Sequence, residues 1–189
     1  MSTIVDDPTP ALAARIRRER ERREWSLGEL AGRSGVSKAM ISKVERGEAS
    51  PTAALLGKLS GAFGLTLSTL LARAEERGGR LTRADDQARW QDPATGYVRR
   101  QASPASNAPL ELVRVELPAR TSVSFPASAY AFIRQSIYVL DGRLTFVEGT
   151  TIWELEPGDW LELGPPADCA FTNTGRRSCH YLVVILRQA

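Results

Sequence analysis

The sequence predicts a two-domain α + β chain. A flexible tail (1–10) leads into a helical front (11–71). A linker (72–96) then joins this to an all-β back (97–189). Three observations lead there. In the front, apolar residues recur at three- and four-residue spacing between serine caps and glycine stops. In the back, short apolar runs alternate with Gly and Pro turns, the pattern of a sandwich or barrel. Charge divides at the same place: residues 11–71 hold 11 Lys/Arg against 6 Asp/Glu, whereas 109–189 hold 7 against 9. A front at +5 and a back at −2 suggest that only the front meets a polyanion.

The elements follow in order. Leu12 and Ile16, four apart, mark a first helix. Ser26 caps a second, with Leu27, Leu30 and Ala31 as its apolar stripe. Ser37 caps a third, and Gly47 stands just past its end. Ser50 with Pro51 starts a fourth, carrying Leu55, Leu56, Leu59 and Phe63 and stopped by Gly64. Leu67, Leu70 and Leu71 read as a short fifth. The linker has little apolar material besides Trp90. Strands are then expected over 110–117, 136–140, 143–147, 150–155, 160–163, 169–173 and 179–186. Asp141-Gly142, Pro157-Gly158-Asp159 and Gly164-Pro165-Pro166 supply turns.

Composition narrows the classes. The chain has 189 residues, 42% of them hydrophobic and 25% charged, as in ordinary globular proteins. No apolar run reaches the length of a membrane helix and no leader pattern opens the chain, so a cytoplasmic protein is expected. Two cysteines, Cys169 and Cys179, are too few for a disulfide scaffold.

On a helical wheel Met40, Ile41 and Val44 fall on one side of the third helix. Lys38, Ala39, Ser42, Lys43 and Arg46 fall within an opposite arc of roughly 140°. A solvated charged face is the commoner meaning of such an arc. It leaves unexplained the preceding helix and glycine turn, LGELAGRSG. The stretch SLGELAGRSGVSKAMISKVERGEASPT, followed by LLGKLSGAFGLTLSTLL, resembles the lambda-repressor-like (XRE) DNA-binding domain of five helices. The resemblance implies that Lys38, Ala39 and Lys43 face base edges in the major groove of double-stranded DNA. It also implies that Ser26, Ser37, Ser42 and Arg46 lie near phosphates. Glu45 is positioned to pair with Arg20. Glu19 stands where many relatives carry Leu, which is expected to loosen the first helix.

The back half, in QSIYVLDGRLTFVEG, LEPGDWLELGPPADCAFTN and YLVVIL, resembles a cupin jelly roll over most of 108–187. Metal-binding cupins place a His-x-His pair, a Glu or Gln and a last His. Here Gln135 and Cys169 hold the last two places, and the pair would fall on Ser128 and Tyr130 or on Ala129 and Ala131. The chain has one histidine, His180, and a catalytic metal needs about three protein ligands, so neither metal nor cofactor is expected. Alternation places Gln135, Ile137 and Val139 on one face, and Cys169, Phe171 and Asn173 on another. With Tyr130, the set Gln135, Ile137, Cys169, Phe171 and Asn173 forms a candidate ligand pocket, although Ile137, Val139 and Phe171 equally fill a barrel core. Arg134 faces the other way, and Trp153 and Trp160 belong to core or interface.

The expected protein is a homodimeric, ligand-responsive transcriptional regulator, a repressor rather than an activator, reading an inverted repeat. The alternatives are a cupin isomerase or oxygenase fused to a DNA-binding domain, and an antitoxin-like protein whose barrel only dimerises.

Overall fold

The computed structural model describes residues 9–72, 80–104, 109–131 and 133–187. Five helices come first: α1 (Thr9–Glu21), α2 (Leu27–Ser34), α3 (Lys38–Glu45), α4 (Ala53–Phe63) and α5 (Leu67–Ala72). Thr9 and Pro10, expected in the tail, already belong to α1, and the rest of that tail lies outside the described residues. Serines cap α2 and α3, as the sequence suggests: Ser26 accepts from the Glu29 amide and Ser37 from the Met40 amide. The cap of α4 is Thr52 rather than Ser50, because Pro51 keeps the chain extended and the Thr52 hydroxyl accepts from the Leu55 amide.

Ten strands follow: β1 (Arg89–Gln91), β2 (Val98–Gln101), β3 (Leu110–Leu117), β4 (Thr121–Phe125), β5 (Ile133–Asp141), β6 (Leu144–Glu148), β7 (Thr151–Leu155), β8 (Trp160–Glu162), β9 (Cys169–Asn173) and β10 (Cys179–Arg187). A 3-10 turn, Ala127–Ala129, precedes β5. All pairs are antiparallel, in a six-stranded sheet of order β1-β2-β3-β10-β5-β8 and a four-stranded sheet of order β4-β9-β6-β7. Val113, Val115, Ile137, Val139, Tyr181 and Val183 of the first sheet face Val123, Phe125, Leu144, Phe146 and Phe171 of the second, and all are buried. Gly142 turns β5 into β6 at φ 84°, and a Cβ there would meet the Cys179 Cα at 2.9 Å.

Two expectations change. Residues 89–91, read as linker, are an edge strand paired to β2, because Trp90 has a core to enter and Arg89 and Gln91 face solvent. Strand β4 was not expected from the sequence: its Ser and Thr residues hide an alternation whose buried members are Val123 and Phe125.

The helices do not stand apart from the sheets. One hydrophobic cluster runs from Leu12 and Ile16 through Leu56 and Phe63 to Val115 and Tyr181. Helix α4 is held along its length. Its first amide, Ala53, donates to Asp92 of the β1–β2 turn at 2.8 Å. At Gly57 it lies against Phe125, and at Gly61 against the Ser128 backbone. Beyond its end, Thr66 and Thr69 donate to the buried Glu111 of β3 at 3.1 and 2.7 Å.

Candidate DNA interface and barrel pocket

Helix α3 is fixed by Ile41 and Val44, both buried, and by a left-handed turn at Gly35, φ 65°, that aims it away from α2. Lys38, Ala39, Lys43 and Arg46 are exposed and Ser42 is half-buried. Met40, expected on the inner side, is 38% exposed. The wheel sets it about 100° from Ile41 but about 40° from Val44, at the border of the buried arc, and it falls on the open side of that border. The exposed face therefore carries a long apolar side chain beside Ala39, which the wheel reading missed.

Ser26 and Ser37 sit at the amino ends of α2 and α3, each with an oxygen engaged by its own helix and a hydroxyl proton left to donate. Glu29 completes a capping box by accepting from the Ser26 amide at 2.7 Å, and these bonds to Ser26 hold its carboxyl below the usual range. Arg46 donates to both oxygens of Glu48, at 2.6 and 2.7 Å, and to the Ser42 hydroxyl. The hydrogen bond to Glu48 raises the Arg46 pKa and lowers that of Glu48. Arg46 is thus held by a carboxylate of its own chain.

Behind this face the helices are braced by charge. Arg20 donates twice to Glu45, at 2.8 and 2.7 Å, and once to the Trp25 carbonyl at 3.0 Å, the pairing expected from sequence. Glu19 does not loosen α1. It is buried, pairs with Arg15 and Arg23, and Arg23 in turn donates to the Phe63 carbonyl of α4 at 2.6 Å. An ion cluster replaces the leucine contact.

In the barrel, alternation runs as expected: Gln135, Ile137, Cys169, Phe171 and Asn173 are buried and Arg134 is exposed. Only three of the six candidates meet in one small pocket. Tyr130, Gln135 and Cys169 line it with Ile133, Glu148, Leu163 and the 164–167 turn. Phe171 is core, stacked on Tyr181 at 5.8 Å and edge-on to Phe125. Ile137 is fully buried between the sheets. Asn173 brackets loops: its amide donates to the Leu117, Pro118 and Arg177 carbonyls, and its oxygen accepts from Gly175.

The residues present do not fit a divalent metal. Among the described residues no group of three or more His, Cys, Asp or Glu is placed to hold one. Burial pushes the Cys169 thiol up to about 11, whereas metals bind the thiolate. His180 lies on the outer face of β10, 3.8 Å from Asp141 and 4.0 Å from Glu116.

Residues 16–70 match the family described as Helix-turn-helix. The match falls on the five-helix unit and leaves the β domain outside it. The HTH-type transcriptional regulator SutR of Escherichia coli (strain K12) is 41% identical over 61 residues, 32% of this chain and 34% of that protein, so the chain spans about a third of that relative. The crystal structure of an HTH_3 family transcriptional regulator from Vibrio cholerae overlays with a TM-score of 0.79 at 20% identity, covering 96% of this chain and 97% of that one. The two share a fold from the helix-turn-helix domain through the β domain. The iron(II) form of HppE overlays at a TM-score of 0.49 with 17% identity, over 95% of this chain and 100% of that one. The helical unit is followed by a six-stranded and a four-stranded antiparallel sheet. Among the described residues no helix is long and apolar enough to cross a membrane.

Sequence reasoning missed three residues inside the barrel: Tyr97, Arg99 and Tyr181 are all buried. Arg99 stands in the run VRRQ, whose composition reads as surface. Only its register, opposite Val115, turns it inward.

Proposed function

We propose that this chain is a cytoplasmic, ligand-responsive transcriptional regulator that binds operator DNA as a homodimer and acts as a repressor. The observation that carries the reading is the junction at α4. Tyr130, a wall of the barrel pocket, caps the 127–129 turn, and Ser128 of that turn touches Gly61. Helix α4 also packs on α2, the partner of the DNA-facing α3. A molecule in the pocket therefore acts on the helix-turn-helix unit through packed contacts, without relying on the 72–96 segment as a tether. It shifts the equilibrium only by as much as it favours one arrangement over the other.

Lys38, Ala39 and Lys43 are assigned to base edges, with Met40 beside them for an apolar contact to a thymine methyl. Ser26, Ser37, Ser42 and Arg46 are assigned to phosphates. A second copy supplies the second half-site, one turn of DNA or about 34 Å away. The open edges of both sheets support dimerisation there: β7 and β8 expose Ile152 (65%) and Trp160 (57%) beside Trp153.

The test is selection of operators from random duplexes, followed by fluorescence anisotropy at several salt concentrations. A preferred inverted repeat, bound by two chains, supports the reading. Equal binding of all duplexes by the parent chain overturns it.

A further inference from the structure

The barrel interior holds a polar cluster that the core does not need. Arg99 faces inward on β2, and its register partner Val115 is itself the partner of Tyr181 on β10. The two side chains thus start two strand spacings apart, about 10 Å, on one face of the sheet. Both are long enough to meet over Val115. Arg99 donates to the Tyr97 hydroxyl at 2.9 Å. The Tyr181 ring stacks on Phe171 of the opposite sheet, so it lies in the space between the sheets, and its buried hydroxyl has no hydrogen-bond partner among the described residues. A buried hydroxyl left without a partner is costly, so its retention calls for a partner that comes from outside. Tyr130 lines the mouth beside Cys169. Tyr97 stands edge-on to Phe125, Phe125 meets Phe171, and Phe171 stacks on Tyr181, so the rings form one run between the sheets.

The path in is of another character. Ile133, Leu163, Pro165 and Pro166 are apolar and surround Tyr130 and Gln135 at the surface. The mouth is thus mostly carbon, with Glu148 among its lining, whereas Arg99, Tyr97 and Tyr181 are buried in the barrel interior. A guanidinium flanked by hydroxyl donors suits an oxygen anion.

We propose that the barrel binds a small monocarboxylate, acid end first. The carboxylate is held by Arg99 and the Tyr181 hydroxyl, its hydrocarbon part lies against Ile133, Leu163 and Pro165, and Tyr130 moves aside to admit it. This rests on the reading of the barrel as a ligand pocket and names the class of ligand.

The test uses the full chain with acetate, butyrate, hexanoate, octanoate and benzoate, and with hexanamide and benzamide as neutral counterparts. Binding is followed by calorimetry and thermal unfolding. At least one carboxylate binds while its amide binds tenfold or more weakly, the margin expected of a charge-assisted pair. Arg99→Gln abolishes that preference. Because a buried arginine variant can fail to fold, Tyr181→Phe serves as the second variant; it keeps the stacked ring and weakens the same carboxylate about tenfold. Amides binding as well as acids, no carboxylate binding, or an unchanged Tyr181→Phe would each overturn the proposal. Operator affinity, measured with and without benzoate or hexanoate, separates the two readings. Binding that depends on Tyr181 without any effect on DNA keeps the carboxylate site and removes the regulatory role. An amide that binds and alters DNA affinity does the reverse.

Discussion

Gly61→Ala and Gly32→Ala are one chemical change at two places, and they part in sign. In mid-helix, alanine is better than glycine by about 0.8–1.0 kcal/mol. At Gly32 on α2 an added Cβ meets nothing within 4 Å, so that gain is kept whole. At Gly61 on α4 the same Cβ would lie 2.6 Å from the Ser128 carbonyl oxygen and 2.9 Å from its carbon. These are backbone atoms, which cannot rotate away as a side chain does. Overpacking of this kind costs about 1–3 kcal/mol, so the net effect is a loss of up to about 2 kcal/mol. For a chain of this length each kcal/mol moves Tm by about 2–4 °C. Thermal unfolding followed by circular dichroism should show Gly32→Ala rising by about 2–4 °C and Gly61→Ala falling by up to about 8 °C. The difference isolates the contact between α4 and the 127–129 turn. If Gly61→Ala rises as Gly32→Ala does, α4 does not rest on the barrel and the proposed route from pocket to DNA is wrong.

Four further outcomes are expected. Lys43→Ala weakens binding to the selected operator by about 1–3 kcal/mol and relaxes preference at one base pair, read by anisotropy on single-base variants. Arg46→Ala weakens all duplexes alike and lowers the salt slope by about 1, whereas Glu48→Gln, which releases Arg46 from its carboxylate, strengthens binding to any duplex at low salt. Glu45→Gln strips the charge from a largely buried pair and lowers unfolding stability by about 2–4 kcal/mol in urea titration, short of the loss for a fully buried pair because Arg20 keeps some solvent. Native Cys169 and Cys179 resist iodoacetamide at neutral pH. Burial raises both thiols to about 11, so the folded chain keeps protons that an unfolded thiol near the ordinary 9.0 gives up. Their contribution to stability is intact below pH 9 and is lost as pH rises through about 11; rapid native alkylation at pH 7 refutes it.

The helical half was legible because its signals are local. A serine cap, an apolar stripe and a glycine stop each act within one turn, so Ser26, Ser37, Leu30, Ile41 and Gly64 were placed correctly by spacing alone. The errors there are of another kind: Pro51 leaves the α4 cap to Thr52, and Glu19 is acceptable inside because Arg15 and Arg23, four residues to either side, pair with it. In the barrel, period-two alternation assigned faces but could not assign depth. Gln135, Ile137, Cys169, Phe171 and Asn173 all point inward, yet only Gln135 and Cys169 reach the pocket, with Tyr130, because position along the strand and the neighbouring strand decide what each one meets.

By itself the sequence determined a cationic α3 on a five-helix unit and a β domain of short alternating strands, since charge, caps and alternation are written residue by residue. Tertiary structure alone decided that Arg99 and Tyr181 turn inward to one place and that α4 lies on the 127–129 turn. Strand register and helix docking join residues far apart in the chain, and the free energy that selects those pairings is that of burying whole faces, which no short stretch contains.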